Sequence, residues 1–130
     1  MSGVGGASTI YNDIGSNESI GTGDEILATV TLPAGTYLLH GFVNVHKNGN
    51  YTIGGYFRLR QDTTNLCYAR YFKSHEEDRE STGHTLDWIV SPTTTTSYNL
   101  YWDFTDGNGN STDLGVHGLI ATACIDEGSS

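Results

Sequence analysis

The densest group of ionisable side chains is Lys73-Ser74-His75-Glu76-Glu77-Asp78-Arg79-Glu80, which sets four carboxylates around one imidazole and two cations. Two carboxylates can divide the acid and nucleophile roles of glycoside cleavage when a cleft holds them about 5 to 9 Å apart. Neighbouring acids on one loop are not held so rigidly. The segment therefore reads as a solvated loop, with receptor contact through His75, Glu76, Glu77, Asp78 and Arg79 as its functional alternative. Gly-x-Ser-x-Gly, His-Glu-x-x-His and phosphate-cradling glycine loops are all absent. No catalytic residue is assigned, and the chain reads as a binding protein, not an enzyme.

Asp106, Asn108, Asn110 and Asp113 offer oxygen ligands at spaced positions, as calcium loops do. Ser111 stands where an EF-hand needs glycine and His117 where it needs glutamate, so a plain turn is the simpler reading and calcium the weaker one. No cofactor is expected. Cys67 and Cys124 are too few for a structural zinc site and are expected as free thiols buried like small apolar residues. His40 and His46, six positions apart, lie about 20 Å apart along an extended strand and cannot share a metal within one chain. Copies of one histidine around a symmetry axis could. Tyr51, Tyr56, Tyr68, Tyr71 and Tyr101 are candidates to point outward, with Tyr51 and Tyr101 as receptor contacts, whereas Trp88 and Trp102 are expected in the core.

A net charge of -9 with only six Lys and Arg argues against nucleic acid, because phosphate binding needs clustered cations. No run approaches the roughly 20 apolar residues of a membrane span. Met1 to Gly6 also lacks the basic and apolar regions of a secretory signal, so no membrane insertion is expected.

The scaffold that must hold these groups is all β. Seventeen Gly, eight Tyr and two Pro describe short strands joined by turns, and no ten-residue stretch has the apolar spacing of an amphipathic helix. Residues 1–20 read as a Gly/Ser-rich tether or lead-in, with a short edge strand from Ile10 to Ile14 as the alternative, and 21–130 as one domain. Turn signals recur about every ten residues. They separate strands at Ile26 to Leu32, Thr36 to Val45, Tyr51 to Gln61, Leu66 to Phe72, Thr85 to Ser91, Ser97 to Phe104 and Val116 to Ile125, with Lys73 to Gly83 left as a loop. In the first strand Ile26, Ala28, Val30 and Leu32 share a face. Seven to eight strands predict a two-sheet antiparallel sandwich.

Two strands are apolar on both faces. Tyr37, Leu39, Gly41, Val43 and Val45 alternate with Leu38, His40, Phe42, Asn44 and His46, and Leu119, Ala121, Ala123 and Ile125 alternate with Val116, Gly118, Ile120 and Cys124. Only one face of a sheet in a sandwich can be core, so the second needs another cover. A second subunit is the expected cover, with Leu38, His40, Phe42 and His46, and Leu119, Ala121 and Ala123 from the last strand, as interface candidates. Burying Leu38 and Phe42 contributes about 2 kcal/mol each.

The order of "ATVTLPAGTYLLHGFVNV" (Ala28 to Val45), "LDWIVSPTTTTSYNLYW" (Leu86 to Trp102) and "HGLIATACI" (His117 to Ile125) resembles the trimeric jelly-roll domains at the tips of bacteriophage tail fibres and related head or neck fibres, within the broader tumour-necrosis-factor-like and complement-globular-head class. The resemblance covers about 100 residues, from Ile26 onward. It implies a parallel homotrimer in a virion, assembled in the host cytoplasm, whose end loops contact a host-surface glycan or protein. "KSHEEDREST" (Lys73 to Thr82) is longer and more charged than that pattern, so no specificity carries over. A capsid or neck decoration protein without receptor, a stand-alone carbohydrate-binding module and a glycan-cleaving enzyme remain as alternatives.

Overall fold

Alternation of side chains every two residues decides where each strand packs, and the strands are long enough to fix it on both neighbours. The computed structural model describes residues 10–16, 18–20, 23–49, 51–74, 79–107 and 112–124. Nine strands run through the described residues: β1 (Ile10–Gly15), β2 (Glu18–Ile20), β3 (Glu25–Leu32), β4 (Tyr37–Asn48), β5 (Ile53–Gln61), β6 (Thr64–Lys73), β7 (Arg79–Val90), β8 (Thr96–Gly107) and β9 (Thr112–Ala123). One sheet has the order β1-β9-β4-β7, with β2 also on β9, and the other has the order β3-β8-β5-β6. All pairings are antiparallel. Chain neighbours mostly sit in opposite sheets, and the interleaved order is that of a jelly roll.

Several boundaries differ from those read in the sequence. Residues 10–15 and 18–20 are strands on β9, so within the stretch read as a tether the alternative of an edge strand at Ile10 to Ile14 holds, and the sheet gains Glu18–Ile20 besides. Arg79 to Gly83, read as loop, pairs with Asn48 to Asn44 and extends β7, because the partner strand β4 runs on to Asn48. A register shift between Ile26 and Ala28 turns Leu27 inward and leaves Ile26 exposed, breaking the expected Ile26-Ala28-Val30-Leu32 face. Trp88, expected in the core, is 44% exposed, because it faces inward from the edge strand β7 where no further strand closes the sandwich. Cys67 is half-buried, but Cys124, expected buried, is exposed just past the end of β9.

The core lies between the sheets. Leu39 and Leu119 from the first sheet meet Leu59 and Leu100 from the second, all fully buried. Gly41 permits this approach, since a Cβ there would come within 3.0 Å of Leu59 Cδ2. Beside them, Phe57, Tyr71 and Trp102 form an aromatic cluster with ring centroids 4.9 Å (Phe57–Trp102) and 6.0 Å (Phe57–Tyr71) apart. Tyr71, expected outward, is therefore core. His84 of β7 closes the cluster from the first sheet, 5.6 Å from Phe57 and 5.4 Å from Tyr71. Pro33 and Pro92 stand outside the strands, as residues without a backbone donor must in a sheet interior. The turns they start are tied together, with Gly35 N–H donating to the Pro92 carbonyl at 3.0 Å and the Tyr37 hydroxyl to the Pro33 carbonyl at 2.9 Å.

Gly55 has no room for a side chain, because a Cβ would lie 2.3 Å from the Asp103 carbonyl oxygen and 2.6 Å from the Trp102 ring. Gly55→Ala is expected to lower stability by about 1–3 kcal/mol in urea denaturation. Gly23→Ala, with nothing within 4 Å of the new Cβ, should leave it unchanged.

Burial, aided by the Lys73 charge, holds the His84 imidazole below its ordinary value of 6.5. A folded-state value below the unfolded one means that the unfolded chain binds the proton first. The stability tied to this group is full above pH 6.5 and is lost as the pH falls below it. Melting temperature should accordingly drop between pH 7.5 and pH 5.5, and His84→Phe should flatten that drop.

Candidate functional site

Residues directly opposite each other on paired strands share a face, so the registers of β4 define both sides of the first sheet. Gly41 stands opposite Leu119, Leu39 opposite Ala121 and Tyr37 opposite Ala123. That is the inner face. Leu119 and Ala121 are fully buried core, and Ala123 packs partly buried against it. These three, expected at a subunit interface, are therefore corrected to the interior. The outer face carries Leu38, His40, Phe42 and His46, together with Ile120, which was not among the candidates although the alternation of β9 placed it opposite Leu119.

The outer face is built in rows. Ile10, Thr122, Leu38 and Ile89 lie side by side across β1, β9, β4 and β7. The next row is Asn12, Ile120, His40 and Asp87, and the third Ile14, Gly118, Phe42 and Thr85. Ile89 is 64% exposed, Ile10 58%, Ile14 51% and Leu38 39%, and the nearby Val116 also stands open in a bulge of β9. His40 is paired to Asp87 at 2.7 Å and stacks on Phe42 with centroids 6.0 Å apart. Several large apolar side chains exposed on one sheet face, here crossed by the polar row of Asn12, His40 and Asp87, are a feature of interaction surfaces.

At one end of this face a cleft of about 730 Å³ is lined by residues including Glu18, Asn44, His46, Ser81 and Asp113. Ser81 Oγ is hydrogen-bonded to His46 Nδ1, and Asp113 stands opposite His46 on the neighbouring strand. A nucleophile and a base are thus in contact, but among the described residues the imidazole donates no orienting hydrogen bond to Asp113, so the triad geometry is incomplete. His117 of β9, hydrogen-bonded to two residues of the cleft lining, is fully buried. Its Nδ1 meets the Gly115 carbonyl at 2.9 Å and its Nε2 the Glu18 carboxylate. His75, Glu76, Glu77 and Asp78 lie outside the described residues, as do Asn108 and Asn110, and Arg79 is described only as part of β7. Asp106 and Asp113, the other two calcium candidates, are exposed, and the described residues contain no group of three or more His, Cys, Asp or Glu able to hold a metal.

The outer face of the second sheet is different. Tyr56, Arg58 and Arg60 of β5 are flanked by Tyr68 and Arg70 of β6 and by Asn99, Tyr101 and Asp103 of β8. The Arg60 guanidinium lies 3.5 Å above the Tyr101 ring, and that of Arg58 4.7 Å from Tyr56 and 5.4 Å from Tyr68. Arg58 Nε donates to Asp103 at 2.9 Å, Arg60 Nε to Asn99 at 2.9 Å, and the Tyr101 hydroxyl to Asp24 at 3.0 Å. Burial, with Asp24 beside it, pushes the Tyr101 phenol above its ordinary value of 10.0. Tyr101 is thus a half-buried member of this array. Tyr51, the other tyrosine expected at a receptor, is buried at the inner side with Lys47 Nζ 5.0 Å from its ring.

No protein-family model matches the chain, and no curated protein sequence does. Among solved structures the fold is similar to VP2 of the infectious bursal disease virus subviral particle, at 10% identity and a TM-score of 0.55 over 88% of this chain and 32% of that one. It is also similar to dimeric latent PorU from Porphyromonas gingivalis, at 8% identity and a TM-score of 0.54 over 89% of this chain and 13% of that one. The extra small virus particle protein of the prawn Macrobrachium rosenbergii aligns at a TM-score of 0.32, too low to bear on the fold. The chain spans about a third of the VP2 chain and a smaller part of PorU. At such identities the likeness defines the fold class, an all-β jelly roll, and nothing finer.

Removing the acceptor for a buried ring nitrogen should be costly. Glu18→Ala is expected to destabilise the chain by about 1–3 kcal/mol in urea denaturation, and Glu18→Gln, which keeps an acceptor, by less.

Proposed function

We propose that the chain is a self-associating domain of a virus particle, a fibre or spike domain working as a homotrimer that contacts a host-surface glycan or protein. The observation that carries self-association is the outer face of the first sheet, where Ile10, Ile14, Leu38 and Ile89 stand exposed beside the half-buried Phe42 and Ile120. Removing such side chains from water contributes about 25 cal/mol per Å², and a closed ring repeats the gain at every interface. The jelly-roll likeness to VP2 supports a place in a virion, and the phage-fibre resemblance of the sequence supports the trimer. For the receptor, the supporting feature is the cleft at one end of the sandwich. No catalytic role belongs to this reading.

A capsid or neck decoration protein would use the same apolar face without the receptor. Binding of the purified domain to whole host cells separates the two.

In sedimentation at micromolar concentration the 14.1 kDa chain is expected to run at three times its mass. The pair of substitutions Leu38→Asp and Ile89→Asp should give a folded monomer whose melting temperature does not depend on protein concentration, since both side chains are exposed in the single chain. A wild-type monomer would overturn the reading.

A further inference from the structure

The array on the outer face of the second sheet has more structure than a solvated surface needs. Three of the chain's six basic residues, Arg58, Arg60 and Arg70, stand on it although the chain as a whole carries a net charge of -9. Two of the guanidinium groups are laid on tyrosine rings, which fixes their planes. Both are also anchored through Nε, Arg58 on Asp103 and Arg60 on Asn99, and Asn99 is itself held by donating to the Asp62 carbonyl at 2.8 Å. In each, the two terminal nitrogens make no hydrogen bond among the described residues. A guanidinium fixed in plane, with its terminal N–H groups free, matches the two oxygens of a carboxylate.

Around the two forks stand apolar surfaces. Tyr68 is 62% exposed, edge-on to Tyr56 with centroids 5.2 Å apart, Phe72 is 43% exposed with Arg70 near its ring, and Ile26 is exposed across the sheet, beside Tyr101. Flat aromatic surface beside hydroxyl and guanidinium donors suits a sugar ring, which has apolar C–H faces and a polar edge. The acidic groups at this array, Asp103 on Arg58 and Asp24 on Tyr101, and the charge of the whole chain disfavour a polyanion. They oppose a single carboxylate far less.

We infer that the outer face of the second sheet binds a glycan ending in a carboxylate-bearing sugar, its carboxylate on the Arg58 and Arg60 forks and its ring against Tyr68. This gives the proposed receptor contact a second surface and a ligand class, and it rests on that proposal only for its setting. The face lies on the opposite side of the sandwich from the apolar face of the first sheet, so self-association there leaves it open.

Titration calorimetry on the full chain with 3′-sialyllactose and trigalacturonate, against lactose and maltotriose, tests the inference. At least one of the two acidic sugars is expected to bind about ten-fold or more tightly than its neutral counterpart, the difference that one hydrogen bond to a charged group makes. Arg58→Lys keeps the charge but loses the fork, and Tyr68→Ala removes an exposed ring; each should weaken the acidic sugar about ten-fold while leaving the melting temperature of Tyr68→Ala unchanged. The monomeric Leu38→Asp, Ile89→Asp variant should bind with the same affinity per chain, which separates failure of this site from failure of the oligomer. Equal affinity for acidic and neutral sugars, no binding of either acid at millimolar concentration, or unchanged binding in both variants would overturn the assignment. So would tighter binding of a hexaglutamate peptide, which would make the face an acidic-peptide site, or a fall in solution mass on Tyr68→Ala, which would make it a contact between copies.

Discussion

The fold depends on the pairing of β4 with β9 on one side and β7 on the other, at the centre of the first sheet. A strand turns alternate side chains to opposite faces, so once Leu39, Val43 and Val45 are committed to the core, Leu38, His40, Phe42 and His46 must face out. Neighbouring strands inherit the choice through the register. Slipping β9 by one residue would trade Leu119 and Ala121 for Gly118 and Ile120, emptying the core of two fully buried side chains. The apolar outer face is therefore not a separate invention. It is the other half of a strand whose two parities are both apolar, and the sandwich has only one interior to offer.

The second sheet solves the opposite problem. Its inner face carries Phe57, Tyr71, Leu100 and Trp102, all large and all buried, and the glycines opposite them make the space. Gly41 lets Leu59 and Leu100 approach across the interior, and Gly55 leaves room for the Trp102 ring. Its outer face is polar, but the cations are not scattered. They sit between aromatic rings and are tied to Asp103 and Asn99, so each guanidinium has a direction. A chain with few basic residues thus presents half of them on one rigid surface, while its apolar excess stands on the opposite one.

His84 and His117 show how the same residue type serves two structural ends. His84 fills a place beside Phe57 and Tyr71 as a ring, and its burial favours the neutral form. His117 is buried as a hydrogen-bonding link, joining the bulge at Gly115 to Glu18 and thereby holding β2 against β9. Neither role is written in the histidine itself; each follows from what the second sheet or the chain start brings to it.

The sequence by itself determined the class, two antiparallel sheets of short strands, because glycine turns at even spacing and period-two alternation are local properties. It also determined the parity of β4, and with it that Leu38 and Phe42 stand on the face opposite Leu39 and Val43. Only the tertiary structure decided which of the two parities was core in β9, since that choice belongs to a register with Gly41 and Leu39 nearly 80 residues earlier. The bulge that exposes Ile26 and the extension of β7 through Arg79 were illegible for the same reason, and of residues 10–20 only the alternative edge strand at Ile10 to Ile14 was legible, not its docking on β9: a bulge or an added strand is placed by its partner, not by its own composition. The stacking of Arg58 and Arg60 on tyrosines from three different strands was beyond reach of any local pattern, because it is cross-strand contact that turns scattered Tyr and Arg into one surface.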